Sequence, residues 1–202
     1  ANDVTVISDE IWSDLTLEDN QHLPTQMVSD DARMRTVALY APSKTFNLAG
    51  LIGSYHIVYN DWWRDRINKE SSLCHYNSMN VLSMHALIGA YKPEGYEWAD
   101  ELREVLTGNV DFACDYIAQH FEGVKVAKPE GTYMLFVDCT DWCAAHGKTI
   151  REVEQACWDV GAAVQDGTMF HGPCHLRMNL ASPRSRIEEA FRRMDQYVFN
   201  AK

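Results

Sequence analysis

Lys44, Asp9 and Arg177 are the residues of this chain whose types and positions suit chemistry. Lys44 stands between Ser43 and Thr45 in the run Ala41-Pro42-Ser43-Lys44-Thr45-Phe46-Asn47-Leu48-Ala49-Gly50-Leu51. An apolar stretch, 36–40, leads into it and a glycine-containing turn follows. An amine at the mouth of a buried strand can condense with a carbonyl cofactor, and the flanking hydroxyls are neutral donors for a phosphate. A lysine after a strand is ordinarily a solvated loop residue, so position alone decides little. A nucleotide P-loop is excluded, because it needs glycines before Lys-Ser/Thr and here Ala41-Pro42 precede. Asp9 likewise follows a short β-branched run, and open α/β sheets gather ligands at the carboxyl ends of their strands. It could instead cap the next turn. Arg177 alternates with Leu176 and Met178, so it leaves a strand on the face opposite the core, where a guanidinium can take a carboxylate with two parallel bonds. A surface salt bridge is the plainer use of such an arginine.

The lysine run and the segment Val6-Ile7-Ser8-Asp9-Glu10-Ile11-Trp12 are two of four matching stretches. The others are the turn Pro129-Glu130-Gly131-Thr132-Tyr133 and Phe170-His171-Gly172 with His175-Leu176-Arg177-Met178-Asn179-Leu180-Ala181. Together they resemble the fold-type I pyridoxal-phosphate enzymes of the class I/II aminotransferase superfamily. Within it the chain is most similar to the cystathionine β-lyase (C–S lyase) branch of the MalY/PatB type. The resemblance covers almost the whole chain. It implies an α/β fold: the C-terminal part of a large cofactor-binding domain with a mostly parallel sheet (1–92), then a linking helix and a small α+β domain (93–202). It implies Lys44 as the catalytic lysine and a buried Asp9 keeping the ring nitrogen of pyridoxal 5'-phosphate protonated. Ser43 and Thr45 would lie at the phosphate, and Arg177 on the α-carboxylate of an amino-acid substrate. Trp12 is implied as a further cofactor-binding residue; it stands where relatives carry a tyrosine or histidine, and its indole N–H would reach a different acceptor. Ile52 stands where many aminotransferases have a phosphate-binding arginine. The glycine-containing phosphate loop and ring-stacking aromatic of the family's earlier half are not found before Asp9, so the chain looks like a C-terminal half. A homodimer with its sites at the interface is implied as well. Three activities follow: β-elimination from cystathionine or cysteine conjugates, transamination, or a catalytically silent or regulatory protein with this fold.

The elements that position these residues read as follows. Short strands are expected at Val4-Thr5-Val6-Ile7, 36–41 and 54–59, the first two covered on both faces because they lack alternation. Helices are expected over 61–70 and 77–90, with a break at Pro93-Glu94-Gly95. A long amphipathic helix then runs over 96–121, bent near Gly108. Strands at 124–127 and 133–137 flank a turn at 128–131. Thr149 and Glu152 form a capping box that opens a helix to about Gly161. The strand 175–181 alternates, and Ser182-Pro183 opens a last helix with the stripe Ile187, Ala190, Phe191, Met194 and Val198.

The net charge of −11 argues against a nucleic-acid or anionic-membrane partner. No apolar run approaches the length that crosses a bilayer, and no secretory leader pattern is visible, although the chain begins at Ala1. Six cysteines without a Cys-x-x-Cys pair read as reduced thiols of a cytoplasmic protein. Cys139, Cys143, His171, Cys174 and His175 match none of the usual structural-zinc spacings, so no metal is expected.

Overall fold

The computed structural model describes residues 3–74 and 78–201. They divide into two compact units, Ala1–Leu102 and Arg103–Lys202. The boundary falls ten residues beyond the expected one, inside a continuous helix.

In the first unit, β1 (Val6–Asp9) and β2 (Thr36–Tyr40) pair in parallel, with Val6 opposite Thr36 and Asp9 opposite Leu39. β3 (Tyr55–Val58) joins the other edge of β2 antiparallel. A parallel return would need a crossover, usually helical. The link after β2 instead winds through tight turns, closed by Phe46 N–H to the Pro42 carbonyl and Leu51 N–H to the Leu48 carbonyl. β1 is an edge strand, and Ile7 is 73 % exposed, so the expectation of cover on both faces fails for it among the described residues. Before β2, Ser29 caps the short helix α1 (Asp30–Arg35) by accepting the Ala32 N–H.

α2 (Asp61–Cys74) extends four residues past its expected end and buries none of its described side chains. α3 (Val81–Ala90) is opened by Asn80, whose side chain accepts the Ser83 N–H. The expected start at Asn77 lies outside the described residues. The break falls at Tyr91-Lys92 rather than at Pro93-Glu94-Gly95. Pro93 opens α4 (Pro93–His120), since a residue in the first helical turn needs no donor N–H. Gly95 belongs to that turn because a Cβ there would collide with the Ala90 carbonyl oxygen. Phe46, Ala90 and Ala99 form a small core cluster with Leu48 and Tyr91 against it.

The second unit begins within α4, which is unbroken through Gly108 and presents Leu106, Val110, Ala113 and Ile117 to a core. Its sheet is antiparallel throughout: β4 (Lys125–Val126), β5 (Met134–Asp138), β7 (His175–Asn179) and the edge strand β6 (Gln165–Asp166), in that order. α5 (Thr140–His146), like β6, was not apparent in the sequence. The predicted capping box is present at the start of α6 (Ile150–Asp159): Thr149 accepts the Glu152 N–H and Glu152 accepts the Thr149 N–H. α7 (Arg184–Met194) follows Pro183, and Ile187, Phe191, Met194 and Val198 are buried as the stripe requires.

Candidate active site

Because β1 and β2 are parallel, their carboxyl ends lie side by side, and the residues suited to chemistry leave from that end. Asp9 is the last residue of β1, and the Glu10 N–H continues the ladder onto the Leu39 carbonyl at 2.9 Å. The Asp9 carboxylate accepts the Ile11 N–H at 3.2 Å. It is exposed rather than buried, since it leaves an edge strand on the open face. Two tight turns then follow, Ser13 N–H to Glu10 and Leu15 N–H to Trp12.

Lys44 sits in the wound segment after β2. Leu48 N–H bonds the Ser43 carbonyl at 3.0 Å, and Asn47 adopts a left-handed backbone at φ 53° to close the turn. Phe46 anchors the segment in the small core, edge-on to Tyr91 at 5.4 Å. The Lys44 ammonium lies 5.5 Å from the centre of the Trp12 ring, a cation–π distance. The structure therefore brings Lys44 and Trp12 together beside the strand end that carries Asp9. Ser43 is half-buried in the same turn. Thr45 is 1 % exposed and donates its hydroxyl to Asp14 at 2.9 Å. That commitment differs from the expected role toward a phosphate: its one O–H is spent inside the fold. Ile52 is 82 % exposed.

Glu10 is the residue that sequence reasoning passed over. It is 4 % exposed and accepts from Ser8 and the Thr25 N–H, each at 3.0 Å, and from Tyr40 at 2.7 Å. His22 pairs with it at 2.9 Å. Burial raises its carboxyl pKa, but the bonds from His22, Tyr40, Thr25 and Ser8 outweigh that and hold it at about 2. Burial and then the Glu10 bond push the Tyr40 hydroxyl well above its ordinary range. The only signal in the sequence was a second carboxylate directly after Asp9, on the alternate face of the strand.

Arg177 belongs to the second unit. It leaves β7 between the buried Leu176 and Met178, as the alternation predicted. Its Nη1 donates to the Gln165 side chain at 2.8 Å, and its guanidinium lies 4.7 Å from the centre of the Phe170 ring. Phe136 is its neighbour across the ladder, stacked on His175 at 4.7 Å. Gln165 and Phe170 are contacts no spacing announced, because β6 is two residues long and Phe170 ends a single tight turn. Cys139, Cys143 and Cys157 are buried, and burial first of all raises their thiol pKa values. Among the described residues no group of three or more His, Cys, Asp or Glu could hold a metal ion, and no helix is long and apolar enough to cross a membrane.

A profile of the family described as aminotransferase class I and II matches residues 1–194. The cystathionine beta-lyase PatB of Bacillus subtilis (strain 168) is 30 % identical over 194 residues, covering 95 % of this chain and 49 % of that protein. The aspartate aminotransferase of Bacillus sp. (strain YM-2) is 26 % identical over 202 residues, covering 98 % of this chain and 50 % of its own. Among solved structures, cystalysin from Treponema denticola, which contains a pyridoxal 5'-phosphate cofactor, superimposes with a TM-score of 0.89 at 27 % identity. That match covers 100 % of this chain and 50 % of cystalysin. The chain thus spans about half the length of the relatives it matches.

Proposed function

Because the chain belongs to the aminotransferase class I and II family, we propose that it is the C-terminal half of a pyridoxal-phosphate-dependent C–S β-lyase. Its substrate would be cystathionine or a cysteine conjugate, and its overall reaction β-elimination to a thiol, pyruvate and ammonia. The observation that carries this reading is the parallel pair β1–β2, with Asp9 at one carboxyl end and Lys44 just past the other.

The residues fit the cofactor. The Lys44 amine faces an indole ring and enters no ion pair among the described residues, so it is available to a carbonyl carbon. Asp9 leaves a neighbouring strand end, and Ser43 offers a hydroxyl to a phosphate. Thr45 keeps its bond to Asp14 and contributes to the shape of the turn instead. When bound, the cofactor supplies an electron sink conjugated to the substrate Cα. Lys44 would hold the cofactor at its carbonyl carbon, and its Nζ, once free, would take the Cα proton as general base. The Asp9 carboxylate keeps a proton on the ring nitrogen. Arg177, with one nitrogen on Gln165 and one face on Phe170, keeps further donors of the kind that pair with a carboxylate, the role the family resemblance implies for it.

A β-lyase is favoured over an aminotransferase by the 30 % identity to PatB against 26 % to the aspartate aminotransferase, and by Ile52 in place of an arginine. The test is the full-length protein given L-cystathionine. Release of pyruvate and thiol without a keto-acid acceptor is expected; product only when a keto acid is added, with amino groups exchanged mole for mole, would assign it to the aminotransferases. The complete protein is further expected to be a homodimer, checked by light scattering with activity measured on the same sample. The 202-residue chain alone is expected to retain little cofactor through gel filtration, since Ser43 would hold the phosphate nearly by itself.

A further inference from the structure

The geometry points to Glu10 as the positioning residue that holds Asp9 at its working distance from Lys44, an inference that rests on the pyridoxal-phosphate reading above. Ser8 and Glu10 share one face of the strand end, and Asp9 leaves from the other. Ser8 donates to Glu10 and also contacts the Thr25 hydroxyl at 2.9 Å, while the Glu10 N–H is tied to the Leu39 carbonyl. Asp9 is therefore clamped through the backbone on both sides. Its own carboxylate is left exposed, with one 3.2 Å bond from the Ile11 N–H. The same Glu10 carboxylate takes the Tyr40 hydroxyl at 2.7 Å. Tyr40 is the last residue of β2, four positions before Lys44. One buried carboxylate thus joins the ends of the two strands that carry the acid and the amine. It also binds the segment 22–25 through His22 and the Thr25 N–H. A carboxylate with four partners resists displacement, because Glu10 is itself 4 % exposed and each bond lost around it would cost free energy. Glu10 touches neither cofactor nor substrate; it acts through Asp9.

A purely structural glutamate would behave differently, and a double-mutant cycle in the full-length protein separates the two. Pyridoxal-phosphate affinity is measured for Glu10→Gln and Tyr40→Phe, each with Asp9 intact and with Asp9→Asn, alongside thermal unfolding. With Asp9 intact, E10Q is expected to weaken cofactor binding about tenfold and Y40F by less; with D9N present each loss should shrink below about twofold. E10Q should also move the pH midpoint of the bound cofactor's visible absorbance in the same direction as D9N. Equal losses in both backgrounds, or a lowered unfolding temperature with affinity and midpoint unchanged, would overturn the positioning role. If E10Q does not fold, Y40F decides by the same criterion. Failure of the unsubstituted protein to bind pyridoxal phosphate would overturn the parent reading and this one with it, whereas binding with additive losses removes this one alone.

Discussion

Among the described residues, ten of the twelve largest fully buried side chains lie in the second unit, from Leu106 to Met194; the first contributes Leu15 and Leu17. The second unit has a four-stranded antiparallel sheet among the described residues and aromatic contacts such as Phe121 stacked on Phe199 at 4.3 Å. The first has three short strands, a small cluster around Phe46, and helix α2 without a buried residue. Yet the first holds Lys44 and Asp9. What fixes them there is polar: the Glu10 carboxylate with its four partners, Thr45 on Asp14, and Gln26 donating to the carbonyls of Thr36 and Ile57, each at 2.9 Å. Hydrogen bonds are directional where apolar burial is not, so a few of them can set a strand end to a fraction of an ångström in a region with little core.

The sharpest way to break this contrast is Lys44→Ala in the full-length protein. Turnover should fall by more than about a thousandfold while thermal unfolding stays put, because the amine contributes chemistry and not packing. Substantial residual activity would mean that another lysine serves, and Lys69, Lys92 and Lys128 follow no buried strand. Phe191→Ala, by contrast, should cost about 3–5 kcal/mol of stability in the second unit, read by denaturant unfolding. A loss near zero would show that its core is less closed than its burial indicates.

Acid should separate the units next. The Glu10 carboxyl, ordinarily near 4.5, is held at about 2 in the fold. A folded value below the unfolded one means its stabilisation is complete above pH 4.5 and is lost as pH falls toward 2, by up to about 3 kcal/mol. Unfolding of the first unit followed over that range should weaken steeply, and E10Q should flatten the dependence. An unchanged slope in E10Q would remove Glu10 as its source. The smallest expected effect is in the second unit: Thr149→Ala removes the cap of α6 and should cost about 1 kcal/mol, seen as a small drop in unfolding temperature.

The candidate residues could be named where a residue type and its local neighbours sufficed. The hydroxyl-flanked lysine after a β-branched strand, the aspartate ending another, and an arginine alternating with leucine and methionine all carry their meaning within about five residues. The capping box at Thr149 and Glu152 was equally local. Glu10 was not legible, because its partners come from two separate stretches, the segment 22–25 with His22 and Thr25 and the end of β2 with Tyr40, and meet only when β1 and β2 pair. The Thr45 bond was not legible for the same reason: Asp14 reaches it from a loop thirty-one positions earlier.

By itself the sequence determined the buried stripe of α7 and the alternation of β7, since hydrophobic period is a property of short stretches. It settled the capped start of α6, the open face that Arg177 takes on β7, and the lysine at the end of β2. Tertiary structure alone decided that β3 returns antiparallel, that helix α4 starts at Pro93, and that Gln165 and Phe170 brace Arg177. It also decided which carboxylate at the end of β1 is buried among four partners and which is left exposed. Adjacent in the chain, Asp9 and Glu10 are both carboxylates that take opposite faces, and what each face meets is set by residues remote in sequence.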